Sequence, residues 1–301
     1  MSTLHRRAVL AAGLAAVLAG CTPRPNPATG PTPDPAPAGE PPFAALEKQF
    51  GGRLGVAALD TGSGATTGYR AGERFLMCST VKALLVAAVL QRSSADPALL
   101  DRRIRYTRAD LIAHSPVTAS RLADGMTVAE LCEAALTVSD NAAENLLSAQ
   151  FGGPAAVTAF LRALGDPLTS SDRTEPALND SALGDLRDTT TPSWFVRDLQ
   201  RVALGTAPLT EGQRGRLTGW MTACTTGAAQ IRAGVPAGWQ VADKTGSGSA
   251  GESNDVGIVR PPGRAPIVLA IFTAPASKDD TTGNPTIAAA TRIALGALKT
   301  P

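Results

Sequence analysis

The chain reads as a helix over Phe43–Phe50, after which apolar residues fall at every second position, Leu54, Val56 and Ala58, the period of a strand. Asp60-Thr61-Gly62-Ser63-Gly64 follows as a turn signal between two strands. Thr80–Leu90 is apolar almost all round, the pattern of a helix buried on every side. Helical stretches continue at Val128–Leu136, Ala142–Gln150, Pro154–Leu164 and Thr191–Leu204. Strand patterns return at Gln240–Ala242, Asn254–Val259 and Ile267–Thr273, and a last helix is expected over Pro285–Leu298. Strands at both ends around a helical middle predict an α+β fold: a sheet made from the two termini and an inserted all-helical lobe. A cleft between two such lobes is a natural small-molecule site.

Upstream of Phe43 the composition changes. Residues 1–20 read as an export signal, with His5, Arg6 and Arg7 as a short basic start, Ala8 to Leu18 as an apolar run and Leu18-Ala19-Gly20 as a small-residue cleavage context. The apolar run is too short to span a bilayer as a stable helix. Leu18-Ala19-Gly20-Cys21 resembles the bacterial lipobox, in which the cysteine is lipidated and becomes the new N-terminus. Arg6-Arg7 also permits the twin-arginine export route. Residues 22–42 are dominated by Pro, Thr, Ala and Gly, with nine prolines among positions 23–42, and read as an extended, disordered spacer. The expected organisation is therefore a leader (1–20), an anchoring Cys21, a tether (22–42) and a folded module (43–301), exported and held on the outer face of the cytoplasmic membrane, or secreted.

Composition narrows the chemistry. With a net charge of +2 over 301 residues there is no clustered basic excess to suggest nucleic acid as a partner. The mature chain keeps one histidine, His114, which disfavours a multi-histidine zinc site and leaves a Ser-His-Asp hydrolase only that residue to use. Cys78, Cys132 and Cys224 are an odd set, expected to act mainly as buried thiols with at most one bridge. Lysines are few, five against twenty-three arginines, so a lysine in a chemically suggestive place stands out.

Two do. Ser79-Thr80-Val81-Lys82 opens the apolar helix, where residues three apart share a face, and a desolvated lysine can take a proton from a serine hydroxyl. The helix N-terminus adds a positive field and backbone N–H groups suited to a developing oxyanion. Taken alone, the same residues also describe a serine cap followed by a chance lysine. Ser139-Asp140-Asn141 reads either as a cap or as a loop presenting a hydroxyl and a carboxamide to the cleft. Lys244-Thr245-Gly246, continuing into Ser247-Gly248, follows an expected interior strand and reads either as a solvent-seeking strand end or as a ligand-facing one.

In this order, S-x-x-K, S-D-N and K-T-G resemble the signature of penicillin-recognising serine enzymes. Arg173-Thr174-Glu175-Pro176-Ala177-Leu178-Asn179 is similar to the R-x-E-P-x-L-N of the class A Ω-loop, and Gly72–Phe75, Asp124–Val128 and Pro236–Trp239 extend the likeness over the folded part. The chain resembles a class A serine β-lactamase. That resemblance implies an α/β sandwich of a mostly antiparallel sheet with flanking helices (43–76 and 219–301) and an inserted helical lobe (77–218). It implies hydrolysis of penicillins and cephalosporins through a serine acyl-enzyme, conferring resistance, by a monomer with no metal or cofactor. By the same resemblance Ser79 is the nucleophile, Ser139 the proton donor to the ring nitrogen, and Glu175, with Asn179 holding a water, the base for deacylation. Lys82 or Glu175 serves as the acylation base. Lys244, Thr245, Gly246 and Ser247 line the carboxylate site, the N–H groups of Ser79 and Ser247 form the oxyanion hole, and Asn141 binds the acylamino side chain. His114 stands where the family places a gate residue at the cleft mouth. Arg173 and Asp188 are expected to pair and close the Ω-loop.

The resemblance also exposes departures. Where many members carry an additional carboxylate-binding arginine, this chain has Gln230 and Ser253. Arg232 is expected to pair with Asp243 instead, leaving Arg260 and Lys278 as surrogates without motif support. Bridges seen in relatives would pair Cys132 with position 86 or Cys78 with position 248, which here are Val86 and Gly248.

Overall fold

Residues 41–180, 182 and 184–298 are described by the structure, a computed structural model. The expected leader, Cys21 and the tether up to residue 40 lie outside them. Pro41 and Pro42, expected to belong to the tether, instead form the first turn of helix α1 (Pro41–Phe50), where a fixed φ and a missing N–H are tolerated. Gly51, at φ 75°, ends α1 in the left-handed region and donates its N–H to the Glu47 carbonyl at 2.9 Å.

Strands β1 (Arg53–Asp60) and β2 (Thr66–Tyr69) form the expected hairpin. At its turn Asp60 Oδ1 accepts from the N–H groups of Gly62 at 2.9 Å and Ser63 at 3.3 Å. The helical middle comprises α2 (Val81–Arg92), α3 (Val128–Thr137), α4 (Asn141–Phe151), α5 (Pro154–Ala163), α6 (Pro192–Leu204) and α7 (Glu211–Thr222). The chain then returns to the sheet through β3 (Gln240–Ser247), β4 (Ser253–Arg260) and β5 (Ile267–Ala274), and closes with α8 (Gly283–Ala297). The five strands run in the order β2-β1-β5-β4-β3, and every neighbouring pair is antiparallel. Strands from both ends of the chain thus make one sheet, and the α+β class is the observed one.

Both faces of the sheet are covered. Along β5, Ile267, Leu269 and Ile271 belong to a core with Phe43 of α1 and Ile287 and Leu295 of α8. Val268, Ala270 and Phe272 point the other way, into a core shared with Phe195 of α6 and with Leu84 and Leu85 of α2. A doubly covered strand needs no polar face, so β5 reads as an unbroken apolar run. The expected end of β3 at Ala242 is a correction: the strand runs on through Asp243, Lys244, Thr245 and Gly246, all buried despite their polarity. Polar side chains mimicked a strand end because protein partners, not solvent, receive them: Arg232 for Asp243, Ser139 for Lys244 and Thr226 for Thr245.

Helix α2 is buried from Val81 to Leu90, the centre of the helical middle, as its all-round apolarity predicts. Helix α7 escapes the pattern reading because it carries Gly212, Gly215 and Gly219 and buries only Leu217 and Met221. Its signal was local: Thr210 and Gln213 form a reciprocal capping box at its start. The two-residue ladders Phe75–Leu76 with Thr189–Thr190 and Arg103–Ile104 with Met126–Thr127 are too short to show a period.

Candidate active site

Three stretches of chain converge at the start of α2. Cys78–Thr80 forms a single 3₁₀ turn that runs directly into α2, and Ser79 makes no capping bond, which disposes of the cap reading. Lys82 lies one turn on, fully buried. Strand β3 comes close enough that a Cβ on Gly246 would sit 2.8 Å from the Met77 carbonyl oxygen and 3.1 Å from the Thr80 nitrogen. Only glycine permits that approach, which brings the K-T-G strand against the S-x-x-K turn.

Ser139 and Cys78 occupy the left-handed region at φ 59° and 50°. Non-glycine residues there are strained and need a surrounding structure that fixes them. For Ser139 that structure is Asp140. Its Oδ2 accepts from the N–H groups of Val117 at 2.9 Å and Thr118 at 3.0 Å, while its Oδ1 takes the Thr118 hydroxyl at 2.9 Å. The same Oδ1 caps α4 by accepting from Ala143 N–H at 2.9 Å. Both readings of S-D-N therefore hold: the aspartate caps, and its neighbours face the cleft.

The Lys82 ammonium donates to Ser79 Oγ at 2.8 Å, to the Ser139 carbonyl at 2.9 Å and to Asn141 Oδ1 at 2.6 Å, with Ser139 Oγ at 3.2 Å. Ser79 Oγ in turn donates to Glu175 Oε1 at 2.9 Å. Lys82 Nζ lies 3.1 Å from that same oxygen. Lys244 reaches Ser139 from the other side, its Nζ donating to Ser139 Oγ at 3.0 Å and to the Thr245 carbonyl at 2.7 Å. Burial, reinforced by the positive charge of Lys82, lowers the Lys244 ammonium to about 8. Thr245 Oγ1 shares a hydrogen bond with Thr226 Oγ1 at 2.6 Å. Ser247 ends β3, opposite Ser253.

Glu175 is held by more than the motif foretold. Asn179 Nδ2 bonds its Oε2. Asn145, which the sequence reading passed over, donates to the Glu175 carbonyl at 2.9 Å and accepts from its N–H at 3.0 Å. Asn145 sits one helical turn after Asn141 on α4, so a search for polar partners at that spacing would find it. Glu144, also passed over, is buried with Oε2 3.3 Å from Lys82 Nζ. Arg173 Nε bonds Asp188 Oδ2 at 2.6 Å, and Asp188 Oδ1 accepts from the N–H groups of Asp172 and Arg173, closing the segment as expected.

The remaining candidates lie outside this hydrogen-bonded cluster. His114 is exposed, its Nε2 bonded to the Val138 carbonyl at 2.9 Å, and its own carbonyl accepts from Asn141 N–H at 2.9 Å. Arg232 pairs with Asp243 through Nε at 2.9 Å and Nη2 at 2.6 Å, away from any ligand role. Gln230 is buried and donates to Asn284 Oδ1 at 2.8 Å. Arg260 pairs with Gln240, at the opposite end of β3 from Ser247, which removes it as a carboxylate partner. Cys78, Cys132 and Cys224 are buried free thiols, and burial, with nearby Glu252, pushes the Cys78 thiol well above its ordinary value.

Comparison with known proteins gives a consistent result. A profile described as the β-lactamase enzyme family matches residues 41–298. The carbapenem-hydrolysing β-lactamase KPC of Klebsiella oxytoca is 51% identical over 258 residues, 85% of this chain and 88% of that one. A β-lactamase of Amycolatopsis lactamdurans is 47% identical over 91% of this chain and 89% of its own. Among solved structures, a class A β-lactamase from Mycobacterium abscessus superposes with a TM-score of 0.81 at 53% identity, covering 86% of this chain and 98% of that one.

Proposed function

This chain belongs to the class A serine β-lactamases, hydrolases whose action on β-lactams confers resistance, and from that premise we propose how its own residues divide the work. Ser79 is the nucleophile. Its hydroxyl donates to Glu175 while it accepts from Lys82, and this direction of hydrogen bonding is the observation that carries the reading. With the Glu175 carboxylate accepting from the Ser79 hydroxyl, the serine proton passes to Glu175 as Oγ bonds the carbonyl carbon of the β-lactam. The N–H groups of Ser79 and Ser247 receive the oxyanion. When the ring C–N bond breaks, Ser139 gives its hydroxyl proton to the nitrogen and is resupplied by Lys82, which recovers a proton from Glu175 at 3.1 Å. Glu175 is then a carboxylate again. With Asn179, it removes a proton from the water that attacks the acyl ester, and Ser79 Oγ departs with a proton returned through the same pair.

Substrate contacts follow the same logic. Lys244, Thr245, Gly246 and Ser247 line the place of the substrate carboxylate, with the Lys244 ammonium as the cation where Gln230 and Ser253 stand in place of an arginine. Asn141 receives the acylamino group, and His114 borders the cleft mouth. The α/β lobe (43–76 and 219–301) and the helical lobe (77–218) supply opposite walls. The enzyme acts as a monomer, exported by its leader and held at the outer face of the cytoplasmic membrane through lipid on Cys21.

Glu175→Gln tests the central assignment. Exposed to a penicillin, the variant should accumulate a stable acyl-enzyme, seen as an added substrate mass on the intact protein. Multiple turnovers by that variant would overturn the deacylation role. Stoichiometric, irreversible labelling of the unaltered protein would instead point to a penicillin-sensing or transpeptidase domain.

A further inference from the structure

Glu144 has no part in the scheme above, yet it lies inside the catalytic cluster. It follows Asn141 by three residues on α4, so the two side chains share a face and both reach Lys82. The lysine has three protons to give, and Ser79 Oγ, the Ser139 carbonyl and Asn141 Oδ1 accept them at 2.6–2.9 Å. Glu144 Oε2, at 3.3 Å, is left buried without a hydrogen bond among the described residues. The charged groups facing it are Lys82 from α2, Glu175 from the Arg173–Asn179 segment and Lys244 from β3. Two carboxyl groups and one ammonium thus crowd one buried site. Two carboxylates at such range cannot both stay ionised without a large penalty, and one proton shared between them removes it.

We propose that Glu144 is a positioning residue for deacylation: its carboxyl group, carried as a neutral acid, donates to the Glu175 carboxylate and fixes both its orientation and the pH range over which it works. Burial and the neighbouring Glu175 charge outweigh the attraction of Lys82 and raise the Glu144 carboxyl to about 8. Below that pH the proton bridges the pair. Above it the second carboxylate repels Glu175 and competes for Lys82, so hydrolysis of the acyl-enzyme slows. This role rests on Glu175 as the deacylating base.

The test is the pH dependence of kcat on a penicillin at saturation, where the titration of Lys244 in the free enzyme does not enter. The unaltered enzyme should lose about tenfold in kcat between about pH 7 and about pH 9. Glu144→Gln, still a donor but never charged, should flatten that loss to less than about twofold. Glu144→Ala, with no donor, should lower kcat at about pH 7 by about tenfold, and Gln in its place should restore most of that loss. A filler role alone would shift thermal stability and leave the profile unchanged. A kcat independent of pH in the unaltered enzyme, which needs no variant to fold, overturns the proposal, as does a Glu144→Gln profile superimposable on it. If Glu175→Gln traps the acyl-enzyme while either result holds, Glu144 is at fault and the base is not; turnover by Glu175→Gln removes the base itself.

Discussion

Lys244 and Lys82 show how burial makes one side chain type serve two purposes. Lys82 spends its protons on three acceptors, whereas Lys244 donates to Ser139 Oγ and to its own strand at Thr245. Desolvation and the nearby Lys82 charge leave the Lys244 ammonium titrating at about 8, below its ordinary 10.5. The cation is therefore present below about pH 8 and disappears as pH rises through that value. Without an arginine at Gln230 or Ser253 to back it up, binding of an anionic penicillin should weaken on that limb. KM for a penicillin should rise at least severalfold between about pH 7 and about pH 9, and a flat KM would contradict the assignment. At this scale the sequence was informative where chemistry is carried by motif residues: Ser79, Lys82, Ser139, Glu175 and Lys244 all meet within hydrogen-bonding reach of a neighbour in the set. It was silent on Glu144 and Asn145, since a glutamate and an asparagine on a helix look like ordinary surface residues until the opposing loop is known.

Among the elements, α5 and α6 are joined by a pair of acids that no pattern revealed. Asp166, just beyond α5, accepts from the N–H groups of Leu168 and Thr169 through Oδ1, while its Oδ2 and both oxygens of Asp198 on α6 lack any other partner among the described residues. Both residues are fully buried. Burial, with the Asp166 charge beside it, lifts the Asp198 carboxyl from its ordinary 3.8 to about 9. A raised acid stabilises the fold only while it holds its proton. That contribution is complete below the unfolded value near 3.8 and is lost as pH climbs through about 9. Asp198→Asn keeps a donor toward Asp166 and cannot ionise. Its melting temperature should match the unaltered protein near about pH 4 and exceed it near about pH 8, by the equivalent of at least about 1 kcal/mol. Equal melting at both pH values would show that the pair shares no proton. The elements themselves were legible where apolar period was strong, as in α2, α3 and β5. They were hidden where polarity faces the cleft, as in β3, or where glycines dilute the period, as in α7.

Across the whole molecule, one apolar core continues from the sheet face carrying Val256, Ile258 and Phe272 into helices α2, α3 and α6, so the cleft is built on a shared interior. Its walls are fixed by packing remote from the chemistry. The proposed attachment is a separate matter, resting on the sequence ahead of α1. Cys21→Ser should move activity from the membrane fraction to the medium with the rate per molecule unchanged; activity that was never membrane-associated would refute the lipid anchor. The amino-acid sequence by itself determined the fold class, the family and which motif residues come together at the start of α2, because those depend on residue types recurring at fixed spacings along the chain. Tertiary structure alone decided what meets across elements: Glu144 beside Lys82, Asn145 on the Glu175 backbone, Asp198 against Asp166, and Arg260 at the wrong end of the sheet. Such contacts join residues 30 or more positions apart in most of these cases, and their energies depend on distance and burial, which no local pattern encodes.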